Sequence, residues 1–336
     1  MILEDLGIHH KPVMIPEILK MLNVLPGGRF VDATLGESGH AKSILKASDP
    51  GGEILGIDAD HEAIEVSKNR LTSFSNRTTI VNDNFKNIKR ICMKENFIPC
   101  HGILFDLGVS SLQLDTEKRG FSFKRHDPLD MRFSFEQKLS AKDIINTFSE
   151  KELADIIFDF GEDRKARKIA EIIVNNRPLE FADELAELIK KGIKSNNYKI
   201  HPATKTFQAI RIYINEELSS LHKALDQSLD ILGEGGRIAV ISYHSLEDRI
   251  VKNFFNSYSN NKSNPSRYFP LKEDKSSLFK LVCKKALSPT TSEINKNTRS
   301  RSAKLRYAIR NDKSFVNPEE FKNKFLNYFE LESVSI

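Results

Sequence analysis

Four acids stand at or just past the ends of short apolar runs near the start of the chain: Asp32, Asp58, Asp83 and Asp106. Asp32 opens the segment Asp32-Ala33-Thr34-Leu35-Gly36-Glu37-Ser38-Gly39-His40, in which two glycines separate an apolar run from a helix-forming one. Glycine at such a turn lets the backbone approach a ligand, and the next helix start offers free N–H groups. Asp58 follows Gly39 by 19 residues. That places an acid at the tip of the next strand, where ribose hydroxyls are bound. A nucleotide-like cofactor is therefore expected. A second constellation is Phe105-Asp106-Leu107-Gly108-Val109-Ser110-Ser111-Leu112-Gln113. Here Asp106, Ser110 and Ser111 could orient a reacting group at a strand's carboxyl end. An Asx-type turn capping the strand is the other reading.

The loop chemistry narrows the cofactor. A dinucleotide fingerprint needs three glycines, G-x-G-x-x-G, so that a pyrophosphate can sit on the turn. Only Gly36 and Gly39 are present, and the Glu37 carboxylate would repel a pyrophosphate. Asp32 suits a ligand carrying positive charge, and S-adenosylmethionine, with its sulfonium, ammonium and ribose, fits. Asp83 falls where an acceptor or adenine neighbour would lie, and Phe85 could supply an aromatic face.

These residues need a scaffold that brings strand ends together. Strands are expected at Arg29–Ala33, Glu53–Ile57, Thr78–Val81 and His101–Phe105, with helices between them. This alternation predicts a doubly wound parallel sheet. It stops after Leu114. Asp115–Arg132 reads as an irregular loop, followed by amphipathic helices at Ala141–Ile145, Glu150–Asp159, Arg164–Asn175 and Phe181–Ile193. Ser149-x-x-Glu152 has the pattern of a capping box. The alternation resumes with a long helix over Phe207–Leu232, a glycine-rich turn and a strand at Arg237–Ser242. A helix over Ser245–Phe255, a polar loop over Ser257–Asp274 and strands at Leu278–Lys284 and Ser302–Arg310 complete it. The expected domains are thus 1–114 and 206–336 for the sheet and 115–205 for a helical insertion.

The 336 residues carry a net charge of +5. The segment from Lys284 to Arg310 holds eight basic residues and one acid, Glu293, a local +7 that leaves the rest at −2. A basic stretch on a near-neutral body suggests a polyanionic partner. In the loop entering the insertion, Arg119, Phe121, Phe123, Lys124, Arg125 and Arg132 interleave charge with rings, as a surface for phosphates and unstacked bases would. The alternative is that these rings are core. Three scattered cysteines imply a reducing compartment, and the absence of a long apolar run implies no membrane span. The nine histidines have no metal-ligand spacing, so no metal is expected.

Taken in order, several segments resemble the ribosomal RNA small-subunit methyltransferase H family over about residues 9–310. They are His10-Lys11-Pro12-Val13, Asp32–His40, Asp106–Leu114 with Arg119–Phe123, Pro128–Arg132, His201–Arg211, Ile241–Arg249 and Arg301–Arg306. The resemblance implies an α/β, doubly wound, Rossmann-like methyltransferase sheet with an inserted helical domain. It implies methylation of cytidine N4 in 16S ribosomal RNA, with the small subunit as partner, in the cytoplasm. It implies S-adenosylmethionine contacts at Ser38, Gly39, His40, Asp58, Phe85, Asp106 and Gln113. This chain departs from the family pattern at Glu37, Ser38, Leu112 and Lys205. Ser38 is expected to present its backbone N–H in place of the family's glycine.

The cytosine amine is a poor nucleophile because its lone pair is delocalised into the ring. Methylating it requires acceptors for the amino hydrogens and close placement against the methyl donor. Asp106, Ser110 and Ser111 are the expected catalytic residues. C5 methylation would need a cysteine nucleophile. Cys100 precedes the fourth strand, at the wrong edge of the sheet for that role. The rival readings are a nicotinamide dehydrogenase, opposed by the missing third glycine and by Glu37, and a non-enzymatic RNA-binding factor, opposed by the intact acid and glycine set.

Overall fold

The structure, a computed structural model, describes residues 12–193, 200–259, 277–311, 321 and 325–333. His10, Lys11 and most of the expected Ser257–Asp274 loop lie outside the described residues. The chain forms two compact units. A sheet unit comprises Met1–Gly108 and Leu221–Lys324, and a helical unit comprises Val109–Ser220 and Phe325–Ile336. The helical unit is wider than the expected 115–205 insertion, because Thr204–Asn215 and the C-terminal helix belong to it.

The strands are β1 (Arg29–Asp32), β2 (Glu53–Asp58), β3 (Thr78–Asn82), β4 (Cys100–Asp106), β5 (Leu232–Ser242), β6 (Phe279–Leu281) and β7 (Lys304–Arg310). They form one sheet in the order β3-β2-β1-β4-β5-β7-β6. β1 to β5 pair in parallel, and β7 runs antiparallel between β5 and β6. Parallel strands are covered on both faces, which is why Ile103, Leu104 and Phe105 are consecutive and fully buried. The same holds for Ile238, Ala239, Val240 and Ile241. The chain winds outward from β1 through β2 to β3, then returns to the other side of β1 as β4. That reversal opens a crevice at the carboxyl ends of β1 and β4.

The helices, in chain order, are α1 (Ile15–Leu22), α2 (Gly39–Ala47), α3 (His61–Arg70), α4 (Ile88–Lys94), α5 (Ser111–Asp115), α6 (Ala141–Thr147), α7 (Glu150–Gly161), α8 (Ala166–Val174), α9 (Ala182–Gly192), α10 (Thr204–Asn215), α11 (Glu217–Ile231), α12 (Ser245–Ser257), α13 (Thr291–Lys296) and α14 (Leu326–Ser333). The capping box at the start of α7 is formed: Ser149 accepts from Glu152 N and Glu152 accepts from Ser149 N.

Two elements differ from the sequence expectation. The single helix over Phe207–Leu232 is two helices, broken at Glu216, which adopts a left-handed conformation with φ 47°. Tertiary ties hold the break. Asn215 accepts from Phe133 N and donates to Met131 O, and Arg211 grips Glu217 at 2.6 and 2.8 Å. The glycine-rich turn, in turn, is a bulge at the start of β5. Cys100 pairs with Leu232 but Gly102 pairs with Arg237, so residues 233–236 loop out of register.

Within the helical unit, the loop that could have met RNA is mostly internal. Arg119 is 2% exposed and donates to the carbonyls of Arg132 and Phe133. Arg125 donates to the carbonyls of Leu114, Asp115 and Thr116 and pairs with Asp127. Arg132 pairs with Asp130, while Phe121 stacks on Phe133 and Phe123 packs on His201 and Phe207. The guanidinium groups organise the loop by satisfying its backbone oxygens. Of the six residues, Lys124 alone is exposed.

Candidate active site

The crevice of the sheet unit gathers charged side chains from four strand ends. Asp32, at the tip of β1, is 1% exposed. Its Oδ1 accepts from Thr34 N at 3.3 Å, and its Oδ2 is buried with no hydrogen-bond partner among the described residues. Burial pushes its carboxyl up to about 7, against the pull of His40, with Asp106 and Asp58 pushing the same way as burial. His40, on the first turn of α2, is 6% exposed. Its Nε2 lies 3.3 Å from Asp106 Oδ2, an ion contact without hydrogen-bond alignment, and its Nδ1 has no hydrogen-bond partner among the described residues. Burial alone would discharge the imidazole. The Asp106 carboxylate beside it, with the charges of Asp32 and Glu293, outweighs burial and holds the ring's pKa above its ordinary value.

Asp58, at the tip of β2, shapes the glycine turn. Its Oδ2 accepts from Gly36 N at 2.7 Å and its Oδ1 from Asp60 N at 2.9 Å. Burial raises it to about 6 despite those two bonds. Gly36 has φ +50°, and Ser38, the residue before α2, has φ 62°. Ser38 is a serine in a conformation that favours glycine. Contrary to expectation, its N–H is not free for a ligand, since it donates to Leu35 O at 2.8 Å. Gly39 is required by close approach: a Cβ there would lie 2.2 Å from Pro12 Cγ. Glu37, expected to repel a pyrophosphate, is neutralised by Arg70 at 2.8 Å. That objection to a dinucleotide therefore lapses, while the missing third glycine and the buried Asp32 still stand against one.

Asp106, at the tip of β4, is held from three sides. Its backbone N–H donates to Thr34 Oγ1 at 2.6 Å, and its Oδ1 accepts from the Tyr243 hydroxyl at 2.8 Å. Its Oδ2 faces His40. Phe85 follows β3, with its ring edge-on to Phe105 at 5.9 Å. Asp83, just beyond β3, is paired with Arg90 and accepts from Asn87.

Ser38, Gly39, His40, Asp58, Phe85 and Asp106 thus belong to the sheet unit, whereas Ser110, Ser111 and Gln113 open the helical one. There Ser110 and Gln113 form a capping box for α5, Ser110 Oγ accepting from Gln113 N at 3.1 Å and Gln113 Oε1 from Ser110 N at 3.0 Å. Ser110's oxygen is therefore committed to the helix start, as the turn reading anticipated. Ser111 is buried at 4% in the first turn of α5.

Sequence reasoning did not single out Thr34, Glu293 or Tyr243 for these contacts. Glu293 Oε1 accepts from Met14 N at 2.7 Å, which ties the start of α13 to the residue before α1. Tyr243 directly follows β5 as Asp106 ends β4, so adjacency of the two strand tips was the available signal. Cys100 begins β4, at the opposite end from Asp106, and burial raises its thiol well above the ordinary range.

A parallel sheet that reverses beside a glycine turn, with a buried acid and histidine whose hydrogen-bonding capacity is unfilled among the described residues, defines a Rossmann-like, cofactor-dependent enzyme. The family model described as the MraW methylase family matches residues 7–311. A ribosomal RNA small subunit methyltransferase H from Dehalococcoides mccartyi is 49% identical over 301 residues, 90% of this chain and 86% of that protein. The protein of the same name from Clostridioides difficile is 44% identical over 305 residues, 89% of this chain and 98% of that one. A solved rRNA methylase from Streptococcus thermophilus aligns at TM-score 0.42 and 11% identity over 91% of this chain and 100% of that one, too distant to add weight. The chain belongs to the MraW methylase family.

The methyl donor is S-adenosylmethionine, and the residues present fit it. A buried carboxylate oxygen and a buried imidazole, both without a hydrogen bond among the described residues, sit beside a glycine turn. They match a ligand that brings positive charge and hydrogen-bonding groups.

Four buried groups bind protons more tightly in the fold than an exposed group would: Asp32, Asp58, Glu332 (about 7) and His40. Each favours its protonated form in the native state. Stability is therefore lost as pH rises through their folded values. The cofactor-free protein should show a thermal midpoint several degrees lower at pH 8 than at pH 5.5. Asp32→Asn should flatten that dependence; an unchanged slope in the variant would contradict the assignment.

Proposed function

We propose that this protein transfers a methyl group from S-adenosylmethionine to N4 of a cytidine in 16S ribosomal RNA, with the small ribosomal subunit as its partner and the cytoplasm as its place of action. The observation that carries the chemistry is the Asp106 carboxylate, fixed at the β4 tip by Thr34, Tyr243 and His40. The small-subunit rRNA name of the relatives supports the substrate. Bound S-adenosylmethionine would supply an electrophilic methyl group. Asp32, His40, Asp58, Phe85 and the Gly36–Gly39 turn would hold it. Asp106 accepts an amino hydrogen of the cytidine and draws electron density back onto N4, which needs no metal ligand and no covalent bond to the enzyme. Gln113, Ser110 and Ser111 stay in the proposed set as residues that could meet cofactor or base. Ser110 retains its hydroxyl proton and one oxygen lone pair for that purpose.

The basic segment supports the polyanion reading in part. β7 runs antiparallel to β5, so Lys304 pairs with Ser242 at the carboxyl edge and Leu305 with Ile241, the partner of Asp106. Lys304 therefore lies at the edge where the site is, and Glu293 of α13 acts on His40 there. Lys284, Lys285, Lys296 and Arg301 are exposed. Arg306 is committed to Asp248 at 2.7 and 3.2 Å, and Arg310 donates to Leu229 and Leu232 carbonyls near the other end of β7. No described helix is long and apolar enough to cross a membrane.

Two experiments test this reading. With labelled methyl donor and 30S particles from a strain lacking the activity, nucleoside analysis should find N4-methylated cytidine. Asp106→Asn should lower turnover about 10²–10³-fold. Particles without that nucleoside, or near-normal turnover by the variant, would contradict the proposal. Replacing Lys284, Lys285, Lys296 and Arg301 by Ala should weaken RNA binding and reduce its salt slope by about one for each phosphate no longer neutralised. Affinity for S-adenosylhomocysteine should not change. An unaltered salt slope would place the RNA elsewhere.

A further inference from the structure

Asp106 cannot be a freely rotating carboxylate, and the group that most limits it is one the family motif does not explain. Tyr243 reaches across from the end of β5 and donates its hydroxyl to Asp106 Oδ1 at 2.8 Å. Its ring is seated against the backbone after β4: Gly108 has φ +92°, and a Cβ there would lie 3.3 Å from Tyr243 Cδ2. Its own backbone N–H donates to Glu247 Oε2 at 2.8 Å, and Glu247 is 2% exposed. The tyrosine is thus fixed at both ends.

We propose that Tyr243 is a positioning residue for methyl transfer, setting the plane of the Asp106 carboxylate so that one lone pair on each oxygen faces the incoming amine. The inference rests on Asp106 being the acceptor of the amine hydrogens. A carboxylate has about four lone-pair sites; the Tyr243 hydroxyl fills one on Oδ1, and the His40 ring stands 3.3 Å from Oδ2. The filled site fixes the directions of those left open on the two oxygens. Burial and the neighbouring Asp106, Glu247 and Glu293 keep the hydroxyl protonated, so its proton is available to Asp106 Oδ1. His40 alone would not fix the plane, since its contact is 3.3 Å and poorly aligned.

The test is Tyr243→Phe in the full-length protein, which keeps the ring against Gly108 and removes one oxygen. Losing a hydrogen bond to a charged group should lower kcat about 10- to 100-fold. KM for S-adenosylmethionine and Kd for S-adenosylhomocysteine should stay within about twofold. The discriminating arm is the double variant with Asp106→Asn. If Tyr243 acts through Asp106, the double variant should be no slower than Asp106→Asn alone. Multiplicative losses, or a Tyr243→Phe enzyme within twofold of the parent kcat, would overturn the proposal. If Asp106→Asn itself turns over normally, the acceptor reading fails first and takes this one with it. A fall in kcat that comes with a matching rise in cofactor KM would assign Tyr243 to cofactor binding and also overturn it.

Discussion

Burial of the Asp32 carboxylate at the sheet's topological reversal is the constraint on which the rest of the site depends. A carboxylate at 1% exposure with an oxygen lacking any partner is costly when ionised. Among the described residues, one imidazole, on α2, acts on Asp32 and Asp106. A cationic cofactor adds positive charge beside these acids. The surrounding geometry serves that arrangement. Asp58 pins the Gly36 turn, Pro12 covers Gly39, and Thr34 holds the Asp106 backbone.

Much of this was legible in the sequence because parallel strands announce themselves. Phe30-Val31 before Asp32 and Leu104-Phe105 before Asp106 are short apolar runs ending in acids, a pattern that follows from burial on both faces and an open carboxyl edge. The break between α10 and α11 was not legible. Nothing in the local propensities of Asn215-Glu216 forbids a continuous helix, and the break is held by contacts to Met131 and Phe133 far along the chain. Tyr243 escaped notice for a related reason: its partner lies on a different strand, and only the β4–β5 register brings the two together.

Charge was the least faithful signal. Arginine beside phenylalanine in residues 119–132 has the same composition whether it faces phosphate or backbone oxygen, and here Arg119, Arg125 and Arg132 satisfy carbonyls and acids of their own loop. In the segment from Lys284 to Arg310 the excess is real, but Arg306 and Arg310 are spent inside the fold. What remains is a smaller exposed set around the carboxyl edge, with Glu293, the one acid of the segment, turned inward onto Met14.

The central claim is that the crevice is completed by a positive charge. Its most direct test is a calorimetric titration of S-adenosylmethionine into the protein at pH 6, 7 and 8, in buffers of different ionisation enthalpy. A cation beside Asp32 must draw that carboxyl down from about 7, and it must disfavour the protonated His40. Both effects release protons on binding near pH 7 and tighten binding as pH rises, and Asp32→Asn should remove the larger part. Equal affinity at the three pH values, with no proton exchanged at pH 7, would contradict the account.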